Sequence, residues 1–150
     1  IRAIEVMTVS GKSIREHEAE SLREPCPYHV IELGLRYHDR ETLYGRINRR
    51  VDKMVEMGLT EEVKAAREQG LTATAAQAIG CKELYSWLDG KETQEEALEK
   101  LKQSTRRYAK RQLTWFGTDQ RMRWIEPDTL AAGETPLDKA MEILEKEGMA

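Results

Sequence analysis

The chain has 150 residues, of which 39% are hydrophobic and 34% are charged, and its formal net charge is −3 at pH 7. This length allows one domain with a core of ordinary size, and the composition is typical of a helix-rich protein. No apolar run approaches the ~20 residues that a membrane-spanning helix needs, so that class of protein is excluded. Two distant cysteines, Cys26 and Cys81, have no neighbours at metal-ligand spacing, which argues against a zinc site and favours a reduced, cytoplasmic setting.

The first residues, 1–7, have the spacing of a helix interior, with no capping residue and no signal-peptide pattern before them. We therefore expect the chain to be a piece of a longer protein. Gly11, Lys12 and Ser13 match the end of a phosphate-binding P-loop, but Val6 occupies the position of that motif's first glycine. A P-loop is rejected at this place.

Two segments have strand character. Residues 28–35 are short, apolar and preceded by proline, and the other candidate is 122–126. A single strand leaves its backbone groups unpaired, so we expect these two segments to pair. The fold class is therefore mostly α with one or two strands.

Capping residues delimit the first three helices that follow. Asp39 is the expected N-cap of a helix that runs to about residue 57 and stops at Gly58. Thr60 is the expected N-cap of a short helix that ends at Gly70, and a third helix is expected over about 74–88.

Two further helices have clearer signals. Thr93 and Glu96 form a capping box that opens a long helix, which Gly117 ends. Thr135 and Pro136 open the last helix in the usual order.

Gly80 interrupts the pattern of the expected 74–88 helix, at a cost of about 1 kcal/mol relative to alanine. Three explanations stay open. Another backbone could approach closely at Gly80, the helix could begin later, or a nucleotide could approach with Lys82 nearby for a phosphate.

The long helix carries an unusual concentration of positive charge. Residues 100–123 contain eight lysines or arginines against one acid, Asp119, so the window has a charge of +7 in a chain of −3. At about 100° per residue the helix has an apolar face and an opposite basic face. The apolar face comprises Leu98, Leu101, Thr105, Tyr108, Ala109, Gln112, Trp115 and Phe116. The basic face comprises Arg106, Arg107, Lys110, Arg111 and Thr114.

This basic face has two interpretations. Arginine and lysine bind phosphates, and interleaved aromatic residues are typical of nucleic-acid binding. The alternative is a solvated face without a partner. The lack of interleaved acids argues against this alternative, because solvated helices commonly mix charges of both signs at i,i+4 spacing.

Other candidate sites are weaker. Arg46 and Arg50 lie four residues apart beside an apolar stripe, where they either reach into a cleft or only extend their stems over it. His17, His29 and His38 have no nucleophile at a suitable spacing, and no histidine–carboxylate cluster suggests a metal. No catalytic constellation is found.

Taken in order, several of these segments resemble the C-terminal half of tRNA dimethylallyltransferase, the tRNA isopentenyltransferase or IPP transferase family. The most specific match is the run 105–115, and the resemblance extends to about residue 126. The other matching segments are 1–6, 10–12, 27–28, 39–51 and 77–80. The P-loop segment of that family has no counterpart here.

The resemblance implies an enzyme that transfers a dimethylallyl group from dimethylallyl diphosphate to N6 of the adenosine 3′ of a tRNA anticodon. It implies a P-loop α/β core with a helical insertion, with Mg²⁺ bound mainly by the missing N-terminal half. Residues 1–26 would end the insertion, 27–126 would be the C-terminal part of the core with the tRNA-binding helices, and 127–150 would hold the final helix. No catalytic residue falls in this chain, so on its own it is expected to be inactive.

The resemblance also assigns roles to individual residues. Either Arg46 or Arg50 is expected to reach the diphosphate. Cys81 and Gly117 depart from the family, which commonly has tyrosine and a basic residue at these positions. The residues matched to contacts with the tRNA anticodon stem-loop are Arg2, Gln77, Ala78, Ile79, Gly80, Cys81, Lys82, Lys110, Arg111, Gln112, Thr114 and Trp115.

Three hypotheses of function remain. The first is the tRNA-binding part of a prenyltransferase that acts together with the missing N-terminal half. The second is a non-catalytic helical RNA-binding module. The third is a domain whose basic face binds an acidic protein.

Overall fold

The computed structural model describes residues 1–23, 27–70, 72 and 74–148, so Cys26 lies outside the described residues. This part of the chain contains seven α-helices, a short 3₁₀ turn and a two-stranded sheet. The predicted mostly helical fold class with two strands is confirmed. The chain divides into two compact units, Ile1–Val30 and Ile31–Ala150. Within the described ranges, no helix is long and apolar enough to cross a membrane.

The first unit consists of two helices, α1 (Arg2–Ser10) and α2 (Ile14–Ser21). No side chain caps the start of α1, in agreement with the sequence. Helix α2 was not predicted because its residues are mostly polar, and a capping box between Ser13 and Glu16 holds its start. Ser13 of the rejected P-loop motif therefore has a structural role.

The sheet pairs β1 (Glu32–Leu35) with β2 (Met122–Ile125) in parallel. The pairing predicted from the sequence is confirmed, although β1 is shorter than the predicted strand. Three side-chain contacts follow the carboxyl ends of the strands. The Asp128 carboxylate accepts hydrogen bonds from the backbone N–H groups of His38 and Asp39, and Arg36 donates to Glu126 at 2.7 Å. The strands are thereby tied to the start of the next helix.

Five helices of the second unit complete the fold. They are α3 (Arg40–Glu56), α4 (Leu59–Glu68), α5 (Cys81–Leu88), α6 (Gln94–Phe116) and α7 (Pro136–Lys146). The predicted N-caps Asp39, Thr93 and Thr135 are confirmed for α3, α6 and α7. At α3, the hydroxyl and backbone N–H of Thr42 donate to the Asp39 carboxylate and hold the pKa of that group below its ordinary value.

Two predicted helix starts are wrong. Thr60 does not cap α4; it lies buried in the first turn, and Gly58 is the N-cap, with a φ of 101°. Because Gly58 reverses the chain directly after α3, no linker remains in which Thr60 could act as a cap.

The expected helix over 74–88 is also wrong. A 3₁₀ turn (Ala75–Gln77) is followed by a break, and α5 begins only at Cys81. Gly80, the N-cap of α5, has a φ of 107°, which residues with a side chain rarely adopt. Of the explanations for this glycine, a later helix start is the one observed.

The core joins the helices that carry the candidate site. Val63, Leu84 and Ala97 bring α4, α5 and α6 together, and Leu84 is completely buried. Val51 of α3 and Leu101 of α6 are also buried, and the Lys102 ammonium of α6 lies 2.6 Å from the Asp52 carboxylate of α3. Helices α3 and α6 are thereby held side by side.

Candidate nucleic-acid interface

A cleft of about 760 Å³ lies between α3, α6 and the turn before α5, and we call it the central cleft. It brings together three segments that the sequence singled out separately. Its polar lining includes Arg50 from α3, Gln77 and Gly80 from the turn, and Lys82 from the first turn of α5. From α6 it includes Thr105, Tyr108, Arg111 and Gln112. Ala78 and Ile79 of the turn also line it. Segments far apart in sequence thus share one surface.

The central cleft has both apolar and cationic lining residues. Leu43, Ile47, Val51 and Leu101 are among the apolar ones. Tyr108 is 45% exposed, and the guanidinium carbon of Arg111 lies 5.6 Å from the centroid of its ring. An aromatic ring beside a guanidinium group suits a nucleic-acid ligand, because bases stack on the former and phosphates bind the latter.

A buried carboxylate shapes the turn beside the cleft. Glu83, only 5% exposed at its side chain, accepts a hydrogen bond from the Gly80 N–H at 2.9 Å. Its other oxygen has no hydrogen-bond partner in the described structure, and the Lys82 ammonium lies 3.6 Å from it. Sequence analysis missed Glu83. The signal was present, because Glu83 stands three residues after the N-cap Gly80, as in a capping box.

The basic face of α6 is exposed to a possible ligand in the C-terminal half of the helix. Arg107, Lys110 and Arg111 are exposed and form no ion pair with the residues that the structure describes. Arg106 differs, because its guanidinium donates to Asn48 Oδ1 at 2.6 Å and to Glu99 Oε1 at 3.0 Å. The assignment of Arg106 to a free basic face is therefore wrong, since α3 packs against this side of α6.

The predicted apolar face of α6 is buried only near its start. Leu101 is buried, whereas Trp115 is 72% exposed and Phe116 is 38% exposed, with their rings in an edge-to-face contact at 4.7 Å. The expectation that Trp115 lies on the packing side is wrong. The half-buried Leu113, which lines a pocket together with Leu43 of α3, marks the packed side of these last turns.

The remaining α6 residues matched to tRNA contacts lie on two smaller surfaces. Lys110 and Thr114 line a pocket of about 280 Å³ beside the start of α3. Trp115 lines a groove of about 410 Å³ with Arg111 and Gln112, which also belong to the central cleft. The surface of α6 is therefore continuous from the central cleft to Trp115.

Two of the matched residues lie elsewhere. The Cys81 side chain is half-buried and packs against the core cluster of Val63, Leu84 and Ala97, so it does not line the central cleft. Arg2 is the first residue of α1 in the first unit, where it is exposed.

Arg46 lines a second depression, of about 520 Å³, along α3. We call it the α3 groove; its polar lining consists of Tyr37, Arg46, Arg49, Arg50 and Lys53. Arg50 lines both the α3 groove and the central cleft, whereas Arg46 lines only the groove. Sequence analysis missed Arg49 and Lys53, although their spacing from Arg46 placed all three on one helix face.

The described residues give no metal centre, and two histidines make local contacts. Among the described residues, no group of three His, Cys, Asp or Glu side chains could hold a metal ion. His17 lies within hydrogen-bonding distance of the Ser10 hydroxyl, and His38 lies 3.7 Å from the Glu126 carboxylate. These contacts support local structure.

Comparison with known proteins identifies the family. The family model described as IPP transferase matches residues 1–119, well over half of the chain. The chain belongs to the IPP transferase family. The resemblance noted in the sequence is thereby confirmed.

Curated relatives carry the name tRNA dimethylallyltransferase. The protein of Bacillus velezensis is 50% identical over 127 residues, which are 84% of this chain and 40% of the relative. The protein of Shouchella clausii is 45% identical over 150 residues, which are 100% of this chain and 47% of the relative. The IPP transferase chain therefore spans less than half the length of these relatives.

Solved structures agree with the sequence comparison. A tRNA delta(2)-isopentenylpyrophosphate transferase from Staphylococcus epidermidis aligns with 39% identity and a TM-score of 0.72, over 97% of this chain and 47% of its own. A tRNA isopentenylpyrophosphate transferase from Bacillus halodurans gives 37% identity and a TM-score of 0.70, over 97% and 50%. The chain therefore has the fold of the corresponding part of these enzymes.

Proposed function

We propose that this chain is the tRNA-binding part of a tRNA dimethylallyltransferase. The complete enzyme would transfer a dimethylallyl group from dimethylallyl diphosphate to N6 of the adenosine 3′ of the anticodon. The observation that carries the proposal is the central cleft, in which Arg50, the turn before α5 and Arg111 of α6 share one surface. Membership of the IPP transferase family supports the reaction class.

The central cleft suits a nucleotide base that has been extruded from the base stack of the tRNA. N6 of a stacked adenosine is inaccessible, so the base must be extruded before it can react. The apolar lining residues, such as Ile47 and Leu101, would receive the base, and Tyr108 offers an aromatic ring. Arg111 and Lys82, which also line the cleft, would bind the neighbouring phosphates.

We assign the contact with the diphosphate to Arg50. During transfer the bond between the dimethylallyl carbon and the diphosphate oxygen breaks, and its electron pair stays on the diphosphate. A guanidinium group stabilises the negative charge that develops there. Arg50 lines the central cleft, whereas Arg46 lines only the α3 groove and lies 5.3 Å from the Tyr37 ring centroid.

The remaining parts of the proposal concern the longer enzyme. Mg²⁺ would be held mainly by residues outside this chain and would neutralise the diphosphate. Residues 1–26 would end the helical insertion, 27–126 would complete the α/β core, and 127–150 would form the C-terminal helix.

A chimeric enzyme tests the proposal. This chain replaces the corresponding segment of the Bacillus subtilis tRNA dimethylallyltransferase, which is 46% identical over 127 residues. We expect the chimera to transfer the dimethylallyl group to tRNA, measured by mass spectrometry of the digested nucleosides. Arg50→Ala should lower kcat by about 10²-fold, the scale of losing one group that stabilises developing charge. Arg46→Ala is the matched control and should lower kcat far less.

The alternative is a non-catalytic RNA-binding module. The α6 cations Arg107, Lys110 and Arg111, which form no ion pair with described residues, also suit it. A folded chimera that binds tRNA but transfers no dimethylallyl group would favour that alternative. Equal losses of kcat in the Arg50→Ala and Arg46→Ala variants would contradict the assignment of the diphosphate contact to Arg50.

A further inference from the structure

The α3 groove concentrates positive charge beside the central cleft, with which it shares Arg50. Arg46, Arg49, Arg50 and Lys53 line it, and none of the residues that line it is acidic. Their spacing of three, four and seven residues places them on one side of α3. At 1.5 Å per residue, the stripe from Arg46 to Lys53 extends about 10 Å along the helix axis.

These charges are not neutralised by neighbouring side chains. In the described structure none of the four cations forms an ion pair with a carboxylate, whereas Asp52 of the same helix is paired with Lys102 of α6. The chain as a whole is acidic, with a net charge of −3, so this clustering is not a consequence of composition. Neighbouring like charges repel one another, and a bound polyanion would relieve that repulsion.

The chemistry of the α3 groove suits phosphates joined in a chain. Arginine binds phosphate bidentately, and lysine adds a compact charge. The Tyr37 ring, at 5.3 Å from the guanidinium carbon of Arg46, restrains that side chain at one end of the stripe. A stripe of this length is longer than a single phosphate group, which favours a sugar–phosphate backbone over an isolated anion.

The α3 groove is continuous with the central cleft. Leu43, Ile47 and Arg50 line both depressions. An RNA strand that enters the central cleft can therefore pass over Arg50 into the α3 groove without meeting an acidic lining residue.

We propose that the α3 groove is a second RNA-binding surface, on which Arg49 and Lys53 bind backbone phosphates of the tRNA held in the central cleft. The inference rests on the proposed function, because it requires that the chain binds tRNA. Binding there would extend the contact beyond the nucleotides that enter the central cleft and would not depend on their sequence.

The test compares three double variants of the chain in tRNA binding, measured by fluorescence anisotropy between 50 and 200 mM salt. The first is Arg49→Ala with Lys53→Ala. The second, Lys64→Ala with Lys91→Ala, changes the net charge equally but lies outside both depressions. The third, Lys110→Ala with Arg111→Ala, tests the basic face of α6. Circular dichroism verifies that each variant is folded.

Loss of two phosphate contacts should reduce the slope of log K against log salt by about 1.4–1.8. We expect this reduction in the first and third variants and almost none in the second. A normal slope for the first variant with a reduced slope for the third would overturn the inference and leave tRNA binding intact. Unchanged slopes in both would contradict tRNA binding itself.

A separate titration with inorganic pyrophosphate distinguishes RNA from a small diphosphate ligand. We expect the Arg49→Ala, Lys53→Ala variant to bind pyrophosphate as the wild type does. Loss of pyrophosphate binding with an unchanged RNA salt slope would assign the α3 groove to the diphosphate and overturn the inference.

Discussion

The Glu83 carboxylate accepts a hydrogen bond at 2.9 Å from the backbone N–H of Gly80, the residue at which the chain enters α5. Gly80 has a φ of 107°, and a Cβ added there would meet no atom within 4 Å. The need for glycine at this position is therefore conformational. Glu83 and Gly80 together hold the turn that lines the central cleft.

Replacement of Glu83 tests this relationship. Glu83→Ala leaves the Gly80 N–H without its acceptor in a buried place, so we expect the free energy of unfolding to fall by about 1–3 kcal/mol. Glu83→Gln keeps an acceptor oxygen and should cost less. Urea denaturation of both variants measures the difference, and equal losses would contradict the role of the hydrogen bond.

Substitution of two adjacent arginines of α6 should affect stability differently. Arg106→Ala removes hydrogen bonds to Asn48 and Glu99, and its side chain is only 21% exposed, so the variant should lose about 1–2 kcal/mol of stability. Arg107 is exposed and forms no ion pair with described residues, so Arg107→Ala should leave stability unchanged.

The Arg106→Ala and Arg107→Ala variants should also show that stability and RNA binding depend on different residues. Arg107→Ala should reduce the salt slope of tRNA binding by about 0.7–0.9, the contribution of one phosphate contact. Thermal melting and salt titrations on the same preparations measure both properties. A destabilised Arg107→Ala variant, or an Arg106→Ala variant of normal stability, would contradict the roles given to these residues.

Sequence alone predicted the elements whose signals are local. The caps Asp39, Thr93 and Thr135 accept hydrogen bonds from backbone groups within three residues, so the helix starts they form can be predicted from the local sequence. The exposure of Trp115 and the pairing of Arg106 with Asn48 were missed, because both depend on where α3 packs along α6. A helical wheel gives the faces of a helix but not the extent of its neighbour.

In the candidate site, too, local features were predicted from the sequence and the packing between elements was not. The resemblance marked the turn and the α6 residues, but only the structure places Arg50 beside them and separates Arg46 from them. The Gly80 turn was misassigned as helix interior because alanines on its N-terminal side favour a helix, whereas the hydrogen bond from Gly80 to Glu83 starts α5 later.

Acid should weaken the fold through carboxylates whose pKa is depressed in the native state. Hydrogen bonds from Lys139 and Lys146 lower the pKa of Glu142 to about 2, and those from Arg121 do the same for Asp119. The unfolded chain takes up these protons at a higher pH than the native chain does. Their contribution to stability is therefore present above the ordinary carboxyl pKa values and is lost as the pH falls towards 2.

Urea midpoints measured between pH 7 and pH 2 test this expectation. The wild type should lose stability below about pH 4.5, the ordinary value for Glu142. Glu142→Gln removes one of the titrating groups, so its decline over the same range should be shallower. A parallel decline in both proteins would contradict the contribution of Glu142.

Competition binding tests the central claim, that this surface recognises the anticodon arm of tRNA. A labelled anticodon stem-loop is bound to the chain and displaced by unlabelled stem-loop or by a scrambled RNA of equal length, at several salt concentrations. We expect the stem-loop to compete more strongly, and we expect Lys110→Ala with Arg111→Ala to reduce the salt slope by about 1.4–1.8. Equal competition by the two RNAs, with the same slope for variant and wild type, would contradict the claim.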